Sequence, residues 1–233
     1  GWGIETLPCG EKYIGLWSNG KRNGKGVETF SNGQKYAGNW QDGERLGKGI
    51  YTWPSGSKYV GEFKMWDLNG HGTFTYPDGS IYIGEFKDGE YHGHGKFTSL
   101  ADGDGYEGEW KNGKKHGKGN HYDKDGQRYE GEWKNDIEHG YGILTLVNLG
   151  SYEGQWRNGE HHGEGSLTFE SGYKLSLTWG PLQNLQGVQQ LGLMEISMKD
   201  NSRIGNGMLR VNLVYLMDTI LLENSKSISY GKQ

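Results

Sequence analysis

The chain has 233 residues, of which 43 are glycine, and its 25 Lys and Arg against 29 Asp and Glu give a formal net charge of -4. Only 32% of the residues are hydrophobic, too few for the single thick core of an α/β enzyme of this length, whereas 13% are aromatic, more than disordered polar chains contain. No stretch gathers about five or six like charges and no apolar run reaches about 18 residues, so we expect neither a nucleic-acid partner nor a membrane-spanning segment. The lone Cys9 cannot close an internal disulfide, which favours a cytoplasmic location.

A tyrosine followed by glycine two residues later and by an aromatic residue four residues later recurs along most of the chain. These tyrosines lie 23 residues apart, except for one interval of 24 that has an extra residue in the loop 100–105. They are Tyr13, Tyr36, Tyr59, Tyr82, Tyr106, Tyr129 and Tyr152. Asn-Gly or Asp-Gly between short alternating runs is the strongest sequence signal for a β-hairpin. The sequence therefore predicts a series of 23-residue hairpins.

The two ends of this series differ from its middle. Residues 1–12 align with the second half of a unit, so the first unit is predicted to be partial, and seven full units follow it. A degenerate unit closes the series, with Leu175 at the tyrosine position, Leu177 at the glycine position and Trp179 at the aromatic position.

These features predict two domains, a repeat array over 1–180 and a leucine-rich non-repeat element over 181–233. Because the last hairpin of an array exposes an unpaired edge, the second element is expected to cover it or to bind a partner subunit. Leu213, Leu216 and Leu221 are expected to be buried there.

A single hairpin is at best marginally stable in water, so neighbouring hairpins are predicted to pair edge to edge. The predicted fold class is all-β, an elongated single-layer antiparallel β-meander with a C-terminal non-repeat element. Glycines on the strands leave bare backbone on which aromatic rings can lie, and each ring is expected to pack on a glycine of a neighbouring unit. Almost no helix is expected within residues 1–180.

Patterns that could indicate chemistry have simpler explanations. His92, His116, His139 and His162 share one repeat position, but equivalent positions of successive hairpins should lie about 10 Å apart, too far to share one ion. Two histidines of one unit, completed by a second chain, are the open alternative for a metal site. Residues 103–108 spell G-x-G-x-x-G without the helix that a dinucleotide site requires. No nucleophile with a fixed base surrounds Cys9, so the sequence predicts no metal, no cofactor and no enzyme activity.

The repeat unit has a recognisable consensus. Residues 13–26, YIGLWSNGKRNGKG, follow the pattern Tyr-x-Gly-x-Trp-x-x-Gly-x-x-x-Gly-x-Gly and resemble the MORN repeat (membrane occupation and recognition nexus). The resemblance extends from residue 1 to about residue 180, with departures at Phe63 and Phe86 in the tryptophan column and at Trp66 and Asp136 in place of the turn glycine. It implies an architecture more than a chemistry, since such arrays occur in radial-spoke heads, apicomplexan scaffolds, junctophilins, lipid kinases and a methyltransferase.

The resemblance and the lack of a catalytic constellation lead us to expect a non-enzymatic scaffold or adaptor. It would be a stiff spacer in a cytoskeletal assembly, such as the axoneme of a cilium or flagellum, and would bind other proteins of that assembly. The alternatives are a membrane-lipid attachment module and the regulatory arm of a larger lipid kinase or methyltransferase. Lipid binding is disfavoured because residues 1–180 contain 25 acidic and 20 basic residues, whereas an anionic membrane attracts basic segments.

Partner proteins are expected to bind along a groove lined by the aromatic columns and by glycine. The candidate partner-binding residues are Tyr36, Trp40, Tyr59, Phe63, Tyr82, Phe86, Tyr106, Trp110, Tyr129, Trp133, Tyr152 and Trp156. Beside them runs an acidic row of one glutamate per unit, Glu62, Glu85, Glu109 and Glu132. This row is expected to be a solvated face or to select a basic partner.

Overall fold

A computed structural model describes residues 1–179 and 195–197. These residues form one antiparallel sheet in which each strand pairs with the next one along the chain, and they contain no helix. The strands are β1 (Trp2–Thr6), β2 (Lys12–Ser18), β3 (Lys21–Thr29), β4 (Lys35–Gln41), β5 (Glu44–Thr52), β6 (Lys58–Met65), β7 (Asp67–Thr75), β8 (Ile81–Lys87), β9 (Glu90–Thr98), β10 (Gly105–Lys111), β11 (Lys114–Tyr122), β12 (Arg128–Lys134), β13 (Ile137–Leu146), β14 (Gly150–Arg157), β15 (Glu160–Phe169), β16 (Lys174–Trp179) and β17 (Glu195–Ser197). The predicted all-β meander of hairpins is confirmed.

Two-residue turns close the hairpins. In five of the seven units the turn is Asn-Gly or Asp-Gly with positive φ at both residues, as at Asn19 (51°) and Gly20 (74°). This is the conformation that matches the twist of the flanking strands. Asn135 and Asp136 adopt it too, at 52° and 71°, so the departure from glycine at Asp136 leaves the turn intact. The Asp136 amide also donates to the Lys115 carbonyl at 3.0 Å, which ties this turn to the preceding unit.

The Gly-x-Gly of each unit holds two glycines with different roles, a distinction that the repeat pattern alone does not reveal. The first, such as Gly93 with φ 57°, lies in a β-bulge, where the register of β8 and β9 shifts after Gly84. The second, such as Gly95, pairs in register with Gly84 on one side and with Gly108 on the other. The same shift follows the corresponding glycine in every tyrosine-bearing strand.

The glycines that pair in register form a continuous line across the sheet, which we call the glycine ladder. Its members are Gly3, Gly15, Gly26, Gly38, Gly49, Gly61, Gly72, Gly84, Gly95, Gly108, Gly119, Gly131, Gly142, Gly154 and Gly165. Leu177 of β16 pairs with Gly165 and ends the ladder within the unit that the sequence marks as degenerate.

Each repeat tyrosine lies over the ladder. A Cβ atom added at Gly95 would come within 2.2 Å of the Tyr82 hydroxyl oxygen, so the ring lies directly against the backbone. The Tyr82 hydroxyl donates to the Glu85 carbonyl at 3.0 Å, and the other six repeat tyrosines make the equivalent hydrogen bond. None of the seven is more than 3% exposed. Rings packed on glycine form the core, as predicted.

Edge-to-face ring contacts join successive units. Tyr82 contacts Phe86 of its own strand, with 5.1 Å between ring centroids, and Trp110 of the next unit, at 5.4 Å. Both contacts recur in every unit from Tyr13 to Tyr152. Such pairs contribute about 0.5–1.5 kcal/mol beyond their buried area, so each unit stabilises its neighbour.

One detail of the predicted packing was wrong. The tyrosine rings were expected on glycines of a neighbouring unit, but Tyr82 covers Gly84 of its own strand and Gly95 of the other strand of its hairpin. The bulge explains the difference, because it brings these two glycines face to face beneath the ring. The tryptophans make the contact between units, as Trp133 does when its Nε1 donates to the Gly119 carbonyl at 3.1 Å.

The first units contain a buried ion network. Glu28 is 3% exposed and accepts hydrogen bonds from both Arg22 and Arg45, the latter at 3.0 Å. Arg22 also pairs with Glu5 at 3.0 Å. The Arg45 guanidinium lies 4.8 Å from the centroid of the Tyr36 ring, so the network rests on the aromatic core.

At the C-terminal end of the array, β16 continues the aromatic column, since Trp179 contacts Tyr152 with 5.1 Å between centroids. The short strand β17 pairs antiparallel with β16. The predicted boundary at residue 180 stays a prediction, and the expected burial of Leu213, Leu216 and Leu221 lies outside the described residues. Within the described part of the chain, no helix has the length and apolarity needed to cross a membrane.

Candidate functional site

The two faces of the sheet have different chemistry. Side chains alternate between faces along a strand, so Tyr82 and Phe86 project to one face, the core face, and Ile83 and Glu85 to the other, the open face. All twelve predicted partner-binding residues, from Tyr36 to Trp156, lie on the core face and are at most 8% exposed. The structure does not test whether they bind a partner, which stays a prediction. In the structure, the rings of these twelve residues contact one another and the glycine ladder.

The open face carries a groove whose floor is the glycine ladder. Three concavities of about 730, 400 and 740 Å³ follow one another along it. The first two share Lys48 in their walls and the last two share Ile83, so together they form one continuous depression, which we call the open groove. Because the floor has no side chains, the residues on either side of the ladder determine what the groove can bind.

One wall of the open groove changes chemistry halfway along the array. It is formed by the residue directly before the ladder glycine in each tyrosine-bearing strand and by its cross-strand neighbours. In the first four units the residues before the ladder glycine are Ile14, Ala37, Val60 and Ile83, and their apolar cross-strand neighbours are Val27 and Ile50. We call these six residues the apolar wall. In the next three units, with neighbours Asn120 and Ile143, the residues before the ladder glycine are Glu107, Glu130 and Glu153, and we call these three glutamates the acidic wall.

The carboxylates of the acidic wall are held only by exposed contacts. Glu107 pairs with Lys96 at 3.1 Å, with side chains that are 63% and 50% exposed. Glu130 pairs with Arg128 at the same distance, and Glu153 accepts a hydrogen bond from the Tyr141 hydroxyl at 2.8 Å. Exposed ion pairs contribute about 0–1 kcal/mol, so these carboxylates can exchange their present contacts for a partner at little cost.

The acidic row Glu62, Glu85, Glu109 and Glu132 lies on the other side of the glycine ladder and has a structural role that neither expectation included. Glu62 and Glu132 line the open groove. Glu85 accepts a hydrogen bond from the His94 amide at 2.8 Å, and Glu109 accepts one from the Lys118 amide at 2.9 Å. These amides belong to the two-residue bulges, which leave backbone donors outside the ladder of strand pairing. A Cβ atom at Gly93 would lie 2.5 Å from the Glu85 carboxylate, so the bulge and the glutamate fit together.

The histidines are dispersed along the sheet. His92 and His116 pair across the strands with Glu85 and Glu109, which places them beside the acidic row. No group of three or more His, Cys, Asp or Glu side chains among residues 1–179 and 195–197 could hold a metal ion. Burial lowers the pKa of His161 to about 4, and burial together with the Lys115 charge lowers the pKa of His121 to about 4. Both are therefore neutral at physiological pH.

The core phenols are not poised for acid-base chemistry. Burial raises the pKa of Tyr36 and of Tyr152 to about 12, and it raises the pKa of the other repeat tyrosines as well. A phenol that stays protonated and donates to a backbone carbonyl is a packing element. The open groove, on the opposite face, offers apolar, acidic and backbone surfaces for binding.

Comparisons with known proteins agree with the architecture. The profile of the MORN repeat matches seven consecutive segments, residues 13–35, 36–58, 59–81, 82–99, 106–128, 129–150 and 152–172. A comparison with curated proteins found no match. Among solved structures, the chain is similar to the G-box domain of the microcephaly protein CPAP, for which a role in centriole elongation has been suggested. The identity is 13% and the TM-score 0.38, over 76% of this chain and 97% of that chain, a similarity too low to bear on function.

Proposed function

Since this chain belongs to the MORN-repeat family, whose repeats are protein- or lipid-interaction modules and generally non-catalytic, we propose that it is a non-enzymatic scaffold that binds partner proteins. It acts as a stiff spacer in a cytoskeletal assembly of the cytoplasm, such as the axoneme of a cilium or flagellum. Partners bind in the open groove, opposite the aromatic core.

The observation that carries this proposal is the continuous open groove above a core that couples every unit to the next. Hydrogen bonds between strands join β1 to β16 without interruption, and each tyrosine contacts rings of two units. Bending the array would separate these rings from the rings of the next unit, so the coupling favours stiffness. A stiff sheet with an accessible groove can hold partners at fixed separations.

The charge distribution favours protein over lipid as the partner. Each Lys or Arg near an anionic membrane surface contributes about 1 kcal/mol of binding free energy, whereas acidic groups are repelled. The open groove carries Glu107 and Glu130 on one wall, Glu153 continues their row on β14, and residues 1–180 have an excess of acidic residues. A basic protein segment fits such a surface better than an anionic headgroup does.

The experiment that tests the proposal places the tagged full chain in ciliated cells and measures the fraction retained in the detergent-extracted cytoskeleton. We expect the wild-type chain to be retained, and the double variant V60E/I83E, which puts charges on the apolar wall, to be released. A matched control, S31E/S55E, adds the same charges to exposed turns away from the groove and should be retained.

Two outcomes would contradict the proposal. Recovery of the wild-type chain entirely in the soluble fraction would refute the cytoskeletal role. Recovery with membranes, together with co-sedimentation with phosphoinositide vesicles, would favour the lipid-attachment alternative instead.

A further inference from the structure

We infer that the open groove binds a protein segment of divided chemistry, with apolar side chains along β2 to β8 and lysine or arginine side chains along β10 to β14. This inference rests on the proposed function, because it concerns the same groove. It goes further by naming the kind of segment that fits and the place where the chemistry of that segment changes.

The first half of the groove presents aliphatic side chains to solvent. Ile50, Val60 and Ile83 are 40%, 42% and 56% exposed, although each lies in the middle of a strand. Ile50 and Val60 belong to a row of apolar residues that pair in register from Ile14 to Val60, and Ile83 follows in the same row beyond Thr73 of β7. A row of exposed aliphatic residues on consecutive strands forms a contiguous patch, and such patches mark interaction sites.

The second half presents carboxylates at the equivalent positions. Two rows of residues flank the ladder glycines, one directly before and one directly after them. In β9 to β15 these rows contain more acidic groups than lysines, of which there are two, Lys96 and Lys118. The acidic members are Glu107, Glu109, Glu130, Glu132, Glu153 and Glu164. In β2 to β8 the same rows contain Lys25 and Lys48 against Glu62 and Glu85, so their charges balance. Electrostatic complementarity therefore assigns basic side chains to the second half alone.

The change from one chemistry to the other is abrupt. It falls between Ile83 of β8 and Glu107 of β10, two strands apart, and the third concavity includes both residues. A partner that lay across the groove in a single unit would not meet both the row of aliphatic residues and the row of carboxylates. A segment that runs along the groove, crossing the strands, meets both in sequence.

The repeat sets the spacing of the partner's side chains. Tyrosine-bearing strands are two strand spacings apart, which is about 10 Å. An extended chain rises about 3.3 Å per residue and covers that distance in about three residues, whereas a helix, at about 1.5 Å per residue, covers it in about seven. The segment therefore has apolar residues opposite the first four tyrosine-bearing strands and basic residues opposite the next three.

The probe is a displayed library of random 24-residue peptides, selected against the full wild-type chain at low ionic strength. We expect enriched peptides to carry an apolar block at one end and a Lys- or Arg-rich block at the other. Enriched peptides in which apolar and basic residues are interleaved, or in which acidic residues predominate, would overturn the inference.

Selected peptides are then titrated by fluorescence anisotropy against two charge-reversal triples. We expect E107K/E130K/E153K to bind at least tenfold more weakly than wild type, with a flatter salt dependence. The matched control E44K/E90K/E160K makes the same charge change at exposed positions where strands leave the turns, and it should bind within twofold of wild type. Thermal melts that coincide with wild type show that both triples are folded.

The outcomes distinguish this inference from the proposed function. Enrichment of no peptide, together with release of the wild-type chain from the cytoskeleton, would refute protein binding in the groove itself. A second outcome would refute only the divided chemistry. In it, the peptides bind the wild-type chain and the E107K/E130K/E153K variant equally tightly, but bind the V60E/I83E variant more weakly. Binding of the wild-type chain to phosphatidylserine vesicles, abolished by V60E/I83E, would show that the apolar wall faces lipid and would overturn the inference.

Discussion

Replacing Gly95 by alanine tests whether the tyrosine rings rest on bare backbone. The new Cβ atom would lie 2.2 Å from the Tyr82 hydroxyl oxygen, 2.4 Å from Cζ and 2.6 Å from Cε2, all far inside van der Waals contact. The ring cannot lift freely, because Tyr91 stacks on it with 3.6 Å between centroids and 9° between planes. The added methyl group must therefore displace both rings or the strand.

The expected magnitude follows from two opposing effects. Overpacking of a well-packed core costs about 1–3 kcal/mol. Alanine also restricts the unfolded chain, which returns about 0.4–1 kcal/mol where the backbone conformation permits it. We therefore expect Gly95→Ala to lower the free energy of unfolding by about 1–2 kcal/mol and the melting temperature by about 2–8 °C.

Thermal unfolding of a double-mutant cycle is the assay. Tyr82→Leu removes the ring, and in that background Gly95→Ala should be neutral or slightly stabilising. Lys96→Ala, at the adjacent exposed position, is the control and should change the stability by less than about 0.5 kcal/mol. An equal cost of Gly95→Ala with and without the Tyr82 ring would refute the ring-on-glycine account.

Three further predictions concern single groups. Glu28→Gln removes the charge that the buried Arg45 and the partly buried Arg22 share. It should lower the free energy of unfolding by about 3 kcal/mol in urea titrations, whereas Glu164→Gln, at an exposed position, should have no effect. Glu85→Ala should destabilise the sheet by about 1 kcal/mol because the His94 amide loses its acceptor, and an unchanged urea midpoint would contradict the structural role of the acidic row. The pKa of His161 is lowered to about 4 in the folded state, so its contribution to stability is complete above about pH 6.5 and is lost as the pH falls towards 4. Between pH 7 and pH 5, the free energy of unfolding from thermal melts should therefore fall by about 1–2 kcal/mol less in His161→Phe than in wild type.

The local structure of this protein follows from its sequence. The 23-residue period, the Asn-Gly and Asp-Gly turns and the alternating runs between them predict hairpins, because positive φ at two consecutive turn residues and a side-chain period of two are short-range constraints. The degenerate unit at Leu175–Trp179 was likewise visible in the sequence as a loss of the ladder glycine, and in the structure the ladder ends there.

The identity of the exposed face was decided only by the tertiary structure. Aromatic columns and glycines were expected to line a partner groove together, yet the sheet places the rings on one face and leaves the other open above the glycines. The bulge at Gly93 sets this arrangement, since its two extra residues bring Gly84 and Gly95 into register under Tyr82 and direct Glu85 to the bulge amides. Nothing in the spacing of the repeat specifies that shift.

The divided wall of the groove shows the same limit. The residue before the ladder glycine can be read from the sequence in every unit, as Ile83 in one and Glu107 in the next. Residues 24 positions apart become neighbours in one groove only because the register of the intervening strands aligns glycine with glycine. Composition and period determine which elements form; the pairing between strands determines which side chains meet, because it is set by contacts that no single hairpin contains.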